Sequence, residues 1–577
     1  MAKYRSSARK LKPSVRQATP TKLAQSIPSD GLVLRVGLDG ISPAAALTLA
    51  KKIVRTQLVG TWVVKPMGAA SRDFTVRRAA AESNPTVKQA FAFAYKLREH
   101  RDVEDCEPAL TMPCEAPDEM IAEHFAMRAF AGPQTASAKS SSSSSSGADD
   151  EANALPCTAQ PTWALKRCKV FEAWVLKPSA NGKALGEGIV IGHPDTGYTD
   201  HPELDSARVL KTRGRDFDEG KADPRDTLKG QSGGHGTSTG SVLMSGTAAG
   251  VVSGVAPLAK LVPLRVTSHV VLLSFSKLAE AIRYAADDGQ HVISISLGGP
   301  LGSRFLTRAV QYAISRGVIV VAAAGNVWPF VVYPAQLTEV IAVAACNCQQ
   351  KPWSSTASGA AVDITAPGES VWRALARSDK FTTGRSSGTS YATAITAGAA
   401  ALWLSHHGRD DLIQRFGLSG LAAVFKELLI EHAFDRPTNW DTANLGPGIL
   451  NVEKLLQAEL PKSVAAGGIR TLKVAGPPRA MSPLENIERL FPTTPAEQIR
   501  ESLQKMFAVS ESELNGKLNE VADELMYYAV MDPKFRAALA GKQTSQRTLK
   551  TASTTERKTK VDLPKNASQK LKTMAQL

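Results

Sequence analysis

Short apolar, β-branched runs alternate with amphipathic helical patterns between residues 155 and 460, and this alternation constrains the fold more than any other feature. The segments 259–266, 291–299 and 318–326 (AKLVPLRV, HVISISLGG and VIVVAAAGN) are predicted strands, and the helical pattern between each pair of strands ends in glycine. Uniformly apolar strands separated by amphipathic helices are typical of a parallel sheet with helices on both faces. The sequence therefore predicts an α/β body.

Polar residues gather where these strands end. The carboxyl ends of parallel strands share one edge of the sheet, and ligand sites lie beyond that edge. The run GIVIG leads into Asp195-Thr196-Gly197, the strand 291–299 contains Ser296-Leu297-Gly298, and Asn326 closes the strand that follows. These positions are the candidates for chemistry.

Two glycine-rich segments add a histidine and a serine. GGHGTS places His235 between glycines, and GRSSGTSYATA (384–394) surrounds Ser390 with small side chains. Such surroundings suit either a tight helix-packing seam or a nucleophile at a helix N-terminus that must admit a substrate carbonyl. Taken singly, Asp-Thr-Gly and Gly-Asn are also ordinary turns, and a glycine-flanked histidine is an ordinary loop residue. Together, the order Asp195, His235, Ser390 matches one known arrangement of an acyl-transfer triad.

Seven motifs in this order resemble the subtilase family, the subtilisin-like serine proteases. They are DTG with HPEL (195–204), GHGT (234–237), GVAP (254–257), HVISISLGGP (291–300), VIVVAAAGN (318–326), DITAPGE (363–369) and SGTSYAT (387–393). The resemblance implies that Asp195 orients the imidazole, that His235 is general base and then acid, and that Ser390 is the nucleophile. It also implies an oxyanion hole formed by the Asn326 side chain and the Ser390 backbone N–H.

The same resemblance implies the substrate contacts. Ser296, Leu297 and Gly298 would form an edge that pairs with an extended peptide, and Ala323 and Gly325 would also bind substrate. We therefore expect a serine endopeptidase.

Three positions depart from the family pattern. Ser238 replaces the second histidine that usually follows GHGT, Ala394 replaces a proline after the first turn of the nucleophile helix, and His193-Pro194 precedes the aspartate where an apolar residue is usual. None of these changes removes a reacting group. They indicate a divergent branch of the family.

The remaining chain divides into five further segments. Residues 31–110 show a β-α-β-β-α-β pattern, which predicts a ferredoxin-like domain and resembles the family's inhibitory propeptide. Residues 111–154, with their serine run, are a predicted flexible linker, and residues 461–540 are a predicted helical module. Residues 1–22 and 541–577 hold 14 of the 15 excess positive charges, and we expect the segments 1–30 and 541–577 to be disordered basic tails.

Charge, composition and the N-terminal sequence limit the possible partners and the cellular compartment. The near-neutral body argues against nucleic acid as a partner, and the long uncharged stretches contain too many Pro, Gly, Ser or His residues to span a membrane. The expected partners are a polypeptide substrate and the chain's own N-terminal domain as inhibitor. The first thirty residues lack the apolar run of a signal peptide, which favours a cytoplasmic protein with all six cysteines reduced.

No cofactor is expected. Calcium is common in the family, but no Asp-rich loop has its ligand spacing, and Cys346-x-Cys348 lacks a second pair at zinc-binding spacing. Two rival functions stay open. One is a catalytically silent pseudoprotease that binds peptides or acts as a scaffold, and the other is a nucleic-acid-associated effector that works through the basic tails. The presence of all four reacting residues favours the enzyme.

Overall fold

A computed structural model describes residues 29–110, 155–462, 481–541 and 561–575, apart from gaps at 38–39, 69–70, 81, 231, 247–249, 327 and 378–379. The predicted linker 111–154, the tail up to residue 28 and residues 542–560 lie outside the described residues. The predictions of disorder for these three segments stay predictions.

The N-terminal domain has the predicted β-α-β-β-α-β order. Its elements are β1 (Ser29–Val36), α1 (Pro43–Gln57), β2 (Trp62–Pro66), β3 (Asp73–Arg78), α2 (Val87–Arg98) and β4 (Val103–Leu110). The four strands form an antiparallel sheet in the order β2-β3-β1-β4. Thr86 starts α2 with a capping box, in which its hydroxyl accepts a hydrogen bond from Gln89 N while the Gln89 side chain accepts from Thr86 N.

The body is built on a nine-stranded sheet. Its strands are β5 (Val190–Asp195), β6 (Arg215–Asp216), β7 (Lys260–Arg265), β8 (Val292–Ile295), β9 (Ile319–Ala323), β10 (Ile341–Cys346), β11 (Ile364–Pro367), β14 (Phe434–Asp435) and β15 (Ile449–Leu450). The order is β14-β15-β11-β10-β9-β8-β5-β7-β6, and every neighbouring pair is parallel except β14 with β15. The predicted parallel sheet is confirmed. A separate antiparallel hairpin, β12 (Val371–Arg377) with β13 (Lys380–Ser386), was not predicted.

Helices cover both faces of this sheet. The helices of the body are α3 (Trp163–Arg167), α4 (Val170–Trp174), α5 (His235–Met244), α6 (Ser276–Asp287), α7 (Arg304–Ser315), α8 (Thr389–His407), α9 (Arg409–Phe416), α10 (Gly420–Glu431) and α11 (Val452–Gln457). Apolar residues of α6 and α7 belong to the core on one face. Those of α5, α8 and α10 belong to the core on the other.

The C-terminal module is helical, as predicted. It contains α12 (Pro483–Glu488), α13 (Ala496–Phe507), α14 (Glu511–Met531) and α15 (Pro533–Leu539). The prediction of a disordered tail over 541–577 is wrong in part, because residues 561–575 carry α16 (Gln569–Met574). Leu571 is fully buried, and the Ser568 hydroxyl caps α16 by accepting a hydrogen bond from Leu571 N. A few apolar side chains are enough to order this basic segment because α14 offers a face on which they pack.

The cysteine prediction also needs correction. Cys157 and Cys348 form a disulfide, although all six cysteines were expected to be reduced. The bond joins the start of the body to the loop after β10 across 191 residues, so no local spacing could reveal it. Cys106, Cys168 and Cys346 are free and buried. Reduced cysteines therefore no longer support a cytoplasmic protein. The cellular compartment stays a prediction that rests on the N-terminal sequence.

Within the described residues, no helix has both the length and the apolar character needed to cross a membrane. The same part of the chain contains no group of three or more His, Cys, Asp or Glu side chains placed to hold a metal ion.

Candidate active site

Ser390 is the second residue of α8, and this helix explains the small side chains around it. All residues of α8 from Thr389 to Ser405 are buried, since the helix runs through the core of the body. At Gly398, a Cβ atom would lie only 2.6 Å from Val255 Cβ, so this position has no room for a side chain. The packing-seam interpretation of the sequence is correct for the helix as a whole. Its N-terminus nevertheless presents Ser390 to a histidine.

Asp195, His235 and Ser390 form a continuous chain of hydrogen bonds. Asp195 ends β5, and His235 begins α5 40 residues later. The His235 Nδ1 atom lies 2.8 Å from Asp195 Oδ1, and its Nε2 atom lies 3.2 Å from Ser390 Oγ. The serine hydroxyl is also 3.1 Å from the carbonyl oxygen of Ser296. The three side chains that the sequence singled out are therefore in hydrogen-bonding contact.

Burial and charge fix the protonation states of this chain. Burial alone would raise the pKa of Asp195, but the neighbouring His235 and its hydrogen bond outweigh that effect and lower the pKa. Burial lowers the pKa of His235, yet the Asp195 charge and hydrogen bond raise it above its ordinary value overall. An ionised Asp195 accepts hydrogen bonds only, so Nδ1 carries the proton and the free lone pair of Nε2 faces Ser390. This arrangement can remove the serine proton.

The residues around Asp195 explain how the unusual His193 is accommodated. His193 is fully buried, and burial lowers the pKa of its imidazole, which favours the neutral form. Its Nε2 atom lies 3.0 Å from Thr239 Oγ1, which in turn is 3.4 Å from Asp195 Oδ2. Thr196 N donates to Asp195 Oδ1 at 2.7 Å. The departure from the family pattern therefore leaves the carboxylate fully hydrogen-bonded.

Asp226 is a supporting residue that sequence reasoning missed. Its carboxylate accepts hydrogen bonds from the Thr196 hydroxyl at 2.5 Å and from Gly234 N at 2.9 Å. Thr196 follows Asp195 and Gly234 precedes His235, so Asp226 joins the two loops that carry the pair. It is one of several acidic residues in a polar segment, and nothing local in the sequence distinguishes it from the others.

Asn326 lies three residues beyond β9, with its amide held in one orientation. Its Oδ1 atom accepts hydrogen bonds from Thr389 N at 2.8 Å and from Thr389 Oγ1 at 2.7 Å. A Cβ atom on Gly388 would lie 3.5 Å from Asn326 Nδ2 and 3.6 Å from Ser390 N. The two predicted oxyanion donors therefore border one space, which stays empty because residue 388 is glycine.

The predicted peptide edge is partly occupied. Ser296 donates from its hydroxyl to the Ser390 carbonyl oxygen at 3.0 Å, which fixes the edge beside α8. Gly298, however, already pairs with the segment 270–272: Gly298 N donates to Val270 O, and Leu272 N donates to Gly298 O. Both backbone groups of Gly298 are thus already paired within the chain, and the expectation that Ser296, Leu297 and Gly298 pair with an extended peptide stays a prediction.

Val332 fills the space between two of the predicted substrate-binding residues. Its methyl carbons lie 2.9 Å from the position of a Cβ atom on Gly298 and 3.3 Å from that of one on Gly325. Ala323 ends β9 and is buried beside them. Sequence reasoning missed Val332 because it lies in a loop and not in a motif. Val332 therefore takes up space that would otherwise be open between Gly298 and Gly325.

Arg373 of β12 is a second residue that the sequence did not point to. It is 5% exposed, and within the described residues it forms no ion pair. Its guanidinium carbon lies 6.0 Å from the centre of the Tyr391 ring, and its charge opposes protonation of His235. Arg373 Nη1 and the Ser238 hydroxyl share the Ala374 carbonyl oxygen as acceptor, at 3.5 and 2.7 Å. A buried cation thus lies next to the serine that replaces the usual second histidine.

Comparison with known proteins gives the family of this chain. A family model described as the subtilase family matches residues 186–451. Thermitase of Thermoactinomyces vulgaris is 36% identical over 236 residues, which are 40% of this chain and 80% of thermitase. Subtilisin Savinase of Lederbergia lenta is 36% identical over 231 residues, 40% of this chain and 81% of its own. An alkaline protease of Shouchella clausii is 34% identical over 257 residues, and the match spans 62% of its length.

Among solved structures, the fold resembles fervidolysin from Fervidobacterium pennivorans, a keratinolytic enzyme related to subtilisin. The TM-score is 0.52 at 21% identity, over 76% of this chain and 62% of fervidolysin, and this likeness supports the fold alone. Two findings decide the family. The family model matches, and two relatives are each 36% identical and covered over about four fifths of their length. The chain belongs to the subtilase family of serine endopeptidases.

Proposed function

We propose that the protein hydrolyses peptide bonds through an acyl-enzyme, with Ser390 as nucleophile, His235 as base and Asp195 as the orienting carboxylate. The hydrogen-bond chain from Asp195 through His235 to Ser390 carries this proposal. Ser390 Oγ attacks the scissile carbonyl carbon while His235 Nε2 takes its proton. The same proton passes to the leaving amine as the carbon–nitrogen bond breaks. Water then attacks the ester, again with His235 as base, and releases the acid.

Charge that develops on the carbonyl oxygen has two donors available. Asn326 Nδ2 and Ser390 N border the open space at Gly388, where the oxyanion would lie. Asn326 cannot rotate freely because Thr389 binds its amide oxygen twice. Fixed donors of this kind stabilise the tetrahedral intermediate without reorganising during the reaction. No step of this mechanism needs a metal or another cofactor.

The proposed substrate is a polypeptide with a small side chain before the scissile bond. Gly325 directly precedes the oxyanion residue Asn326, and Val332 occupies the space that Gly325 and Gly298 leave open. We expect Val332→Ala to increase kcat/KM at least ten-fold for a peptide with phenylalanine at this position, while the alanine peptide changes by less than three-fold. Equal changes for both peptides would show that Val332 does not limit the cleft.

We also propose that the N-terminal domain is an intramolecular inhibitor of this site. Its sheet docks on α6 and α7 of the body through acidic residues. Asp73 binds Arg283 at 2.6 Å, and Asp105 binds Arg304 at 2.6 Å. Glu107 accepts hydrogen bonds from the hydroxyl of Ser303, the N-cap of α7, and from the backbone N–H of Arg304. A carboxylate at a helix N-terminus is favourable because unpaired backbone N–H groups point at it.

The exit of the chain from this domain supports the same proposal. Leu110, the last residue of β4, is buried in one cluster with Leu273 and Leu301. These residues follow the two segments that pair at Gly298, so the linker leaves the domain close to the candidate cleft. We propose that the enzyme cuts its own linker, within about residues 111–162.

One experiment tests both parts. A fluorophosphonate probe should label Ser390 in the unmodified protein, and intact-mass measurement should show cleavage within 111–162. Ser390→Ala should stay full length and unlabelled, with an unchanged melting temperature. Absence of labelling in a folded, linker-cleaved protein would favour the pseudoprotease. Labelling and full activity in an uncleaved chain would overturn the zymogen proposal and leave the peptidase standing.

A further inference from the structure

Helix α2 of the N-terminal domain is buried on two opposite faces. Ala90, Ala94 and Leu97 pack on the domain's own sheet. Val87, Phe91 and Tyr95, spaced four residues apart, form an apolar stripe on the other face, where they belong to a cluster with the C-terminal module. Phe91 and Tyr95 are 2% and 3% exposed. A domain that dissociated freely would expose this stripe to water, which is unfavourable for aromatic side chains of this size.

Polar contacts fix the module on this stripe. The buried Glu524 of α14 accepts a hydrogen bond from Tyr95 Oη at 3.0 Å. It also accepts from Ser568 N at 2.6 Å and from the Ser568 hydroxyl at 2.7 Å, which brings the residues around α16 to the same point. Beside it, Arg98 pairs with Asp523 at 2.7 Å. Three separate segments of the chain thus meet at one fully buried carboxylate.

The module is equally attached to the body, next to the candidate cleft. Arg489 donates to the carbonyl oxygens of Pro300 at 2.5 Å and Val331 at 3.1 Å, and its guanidinium lies 4.8 Å from the centre of the Tyr333 ring. The Tyr333 hydroxyl donates to Asn486 Oδ1 at 3.0 Å. These residues flank Val332 and the paired edge at Gly298. The N-terminal domain is therefore held between the body on one side and a module that is fixed to the body on the other.

We propose that the C-terminal module, together with residues 561–575, is a clamp that keeps the N-terminal domain on the body after the linker is cut. Self-cleavage would then give a stable, still inhibited complex. Activation would require a second event that opens or removes the module. That the retained domain inhibits the peptidase rests on the proposed function. That the N-terminal domain is retained on the body follows from the contacts themselves.

Retention can be measured without any catalytic activity. A Ser390→Ala chain would carry the recognition site of a sequence-specific viral protease in place of the serine run 140–146. After cutting and dilution to nanomolar concentration, the two fragments should co-elute on size-exclusion chromatography. Asp523→Ala, and separately Tyr95→Phe, should speed release of the N-terminal fragment about ten-fold or more, because each breaks a hydrogen bond to a charged group across the interface.

Glu501→Ala is the matched control. Glu501 lies on α13 of the same module, is 64% exposed and pairs only with Lys505 among the described residues, so its removal should leave the release rate unchanged. Melting curves of each variant check that the module is folded, and Tyr95→Phe leaves the module sequence intact. Release that is equally fast in the parent chain and in all variants would overturn the clamp.

The consequence for activity is tested in the chain that keeps Ser390. Once its linker is cut, this chain should hydrolyse a fluorogenic peptide only after a lag. Asp523→Ala should shorten the lag by the same factor by which it speeds release of the N-terminal fragment. Full activity while the fragments still co-elute would refute the inhibitory role but not the retention. A chain that is inactive under every condition yet retains its domain would count against the proposed peptidase and would leave the clamp standing.

Discussion

Gly388→Ala should abolish oxyanion stabilisation while leaving the fold intact. The new methyl carbon would lie 3.5 Å from Asn326 Nδ2 and 3.6 Å from Ser390 N, which are ordinary contact distances. An oxyanion must approach both nitrogens to about 2.7–3.1 Å, and the methyl group would occupy the space that it needs. The backbone φ of 169° at Gly388 is extended and suits alanine as well as glycine.

The magnitude follows from the donors that are lost. Removal of one oxyanion donor typically reduces kcat by about 10²–10³, or roughly 3–4 kcal/mol. Gly388→Ala blocks both donors, so we expect a loss at least as large as that for Asn326→Ala, with little change in KM. Because both variants affect the same space, the double variant should be only slightly worse than Gly388→Ala alone.

Steady-state kinetics with a fluorogenic peptide, on protein freed of its N-terminal domain, measure these values. Melting temperatures of the two variants should stay within a few degrees of the parent protein. Full retention of kcat by a folded Gly388→Ala protein would refute the placement of the oxyanion at Gly388. A loss confined to KM in Asn326→Ala would refute the role of Asn326.

Three further predictions concern other parts of the body. Arg373→Met should raise the pKa of His235, which must be neutral to act as base, and should therefore shift the acid limb of kcat/KM to higher pH. Arg377→Met, exposed on the same hairpin, should not move the limb, and an unshifted Arg373→Met profile would contradict the electrostatic role. Cys157→Ser opens the disulfide and should lower the stability of the body by about 2–4 kcal/mol, seen as a lower melting temperature; no change on reduction would refute this. A chain that ends at residue 560 should have a lower melting temperature than the full chain. An unchanged melting temperature would show that the segment after residue 560 is dispensable for stability.

The predicted reacting groups were found from local patterns together with the order of the motifs along the chain. A strand can be read from its apolar residues, and the polar residue that follows it must lie at the edge of the sheet. For this reason Asp195 and Asn326 were found from the sequence, and the glycines around His235 and the small residues around Ser390 marked the other two. The β-α-β-β-α-β order of the N-terminal domain was found in the same way, because each helix and strand has its own periodicity.

The contacts between distant segments depended on the tertiary structure. Asp226, Val332 and Arg373 have no distinguishing neighbours in sequence, and each matters only because the fold brings it beside a predicted site residue. The closure of the edge at Gly298, the disulfide across 191 residues and the docking of residues 561–575 share this property. Local periodicity determines which segments become helices and strands. The partner that each buried or charged side chain finds depends on the packing of all of them together.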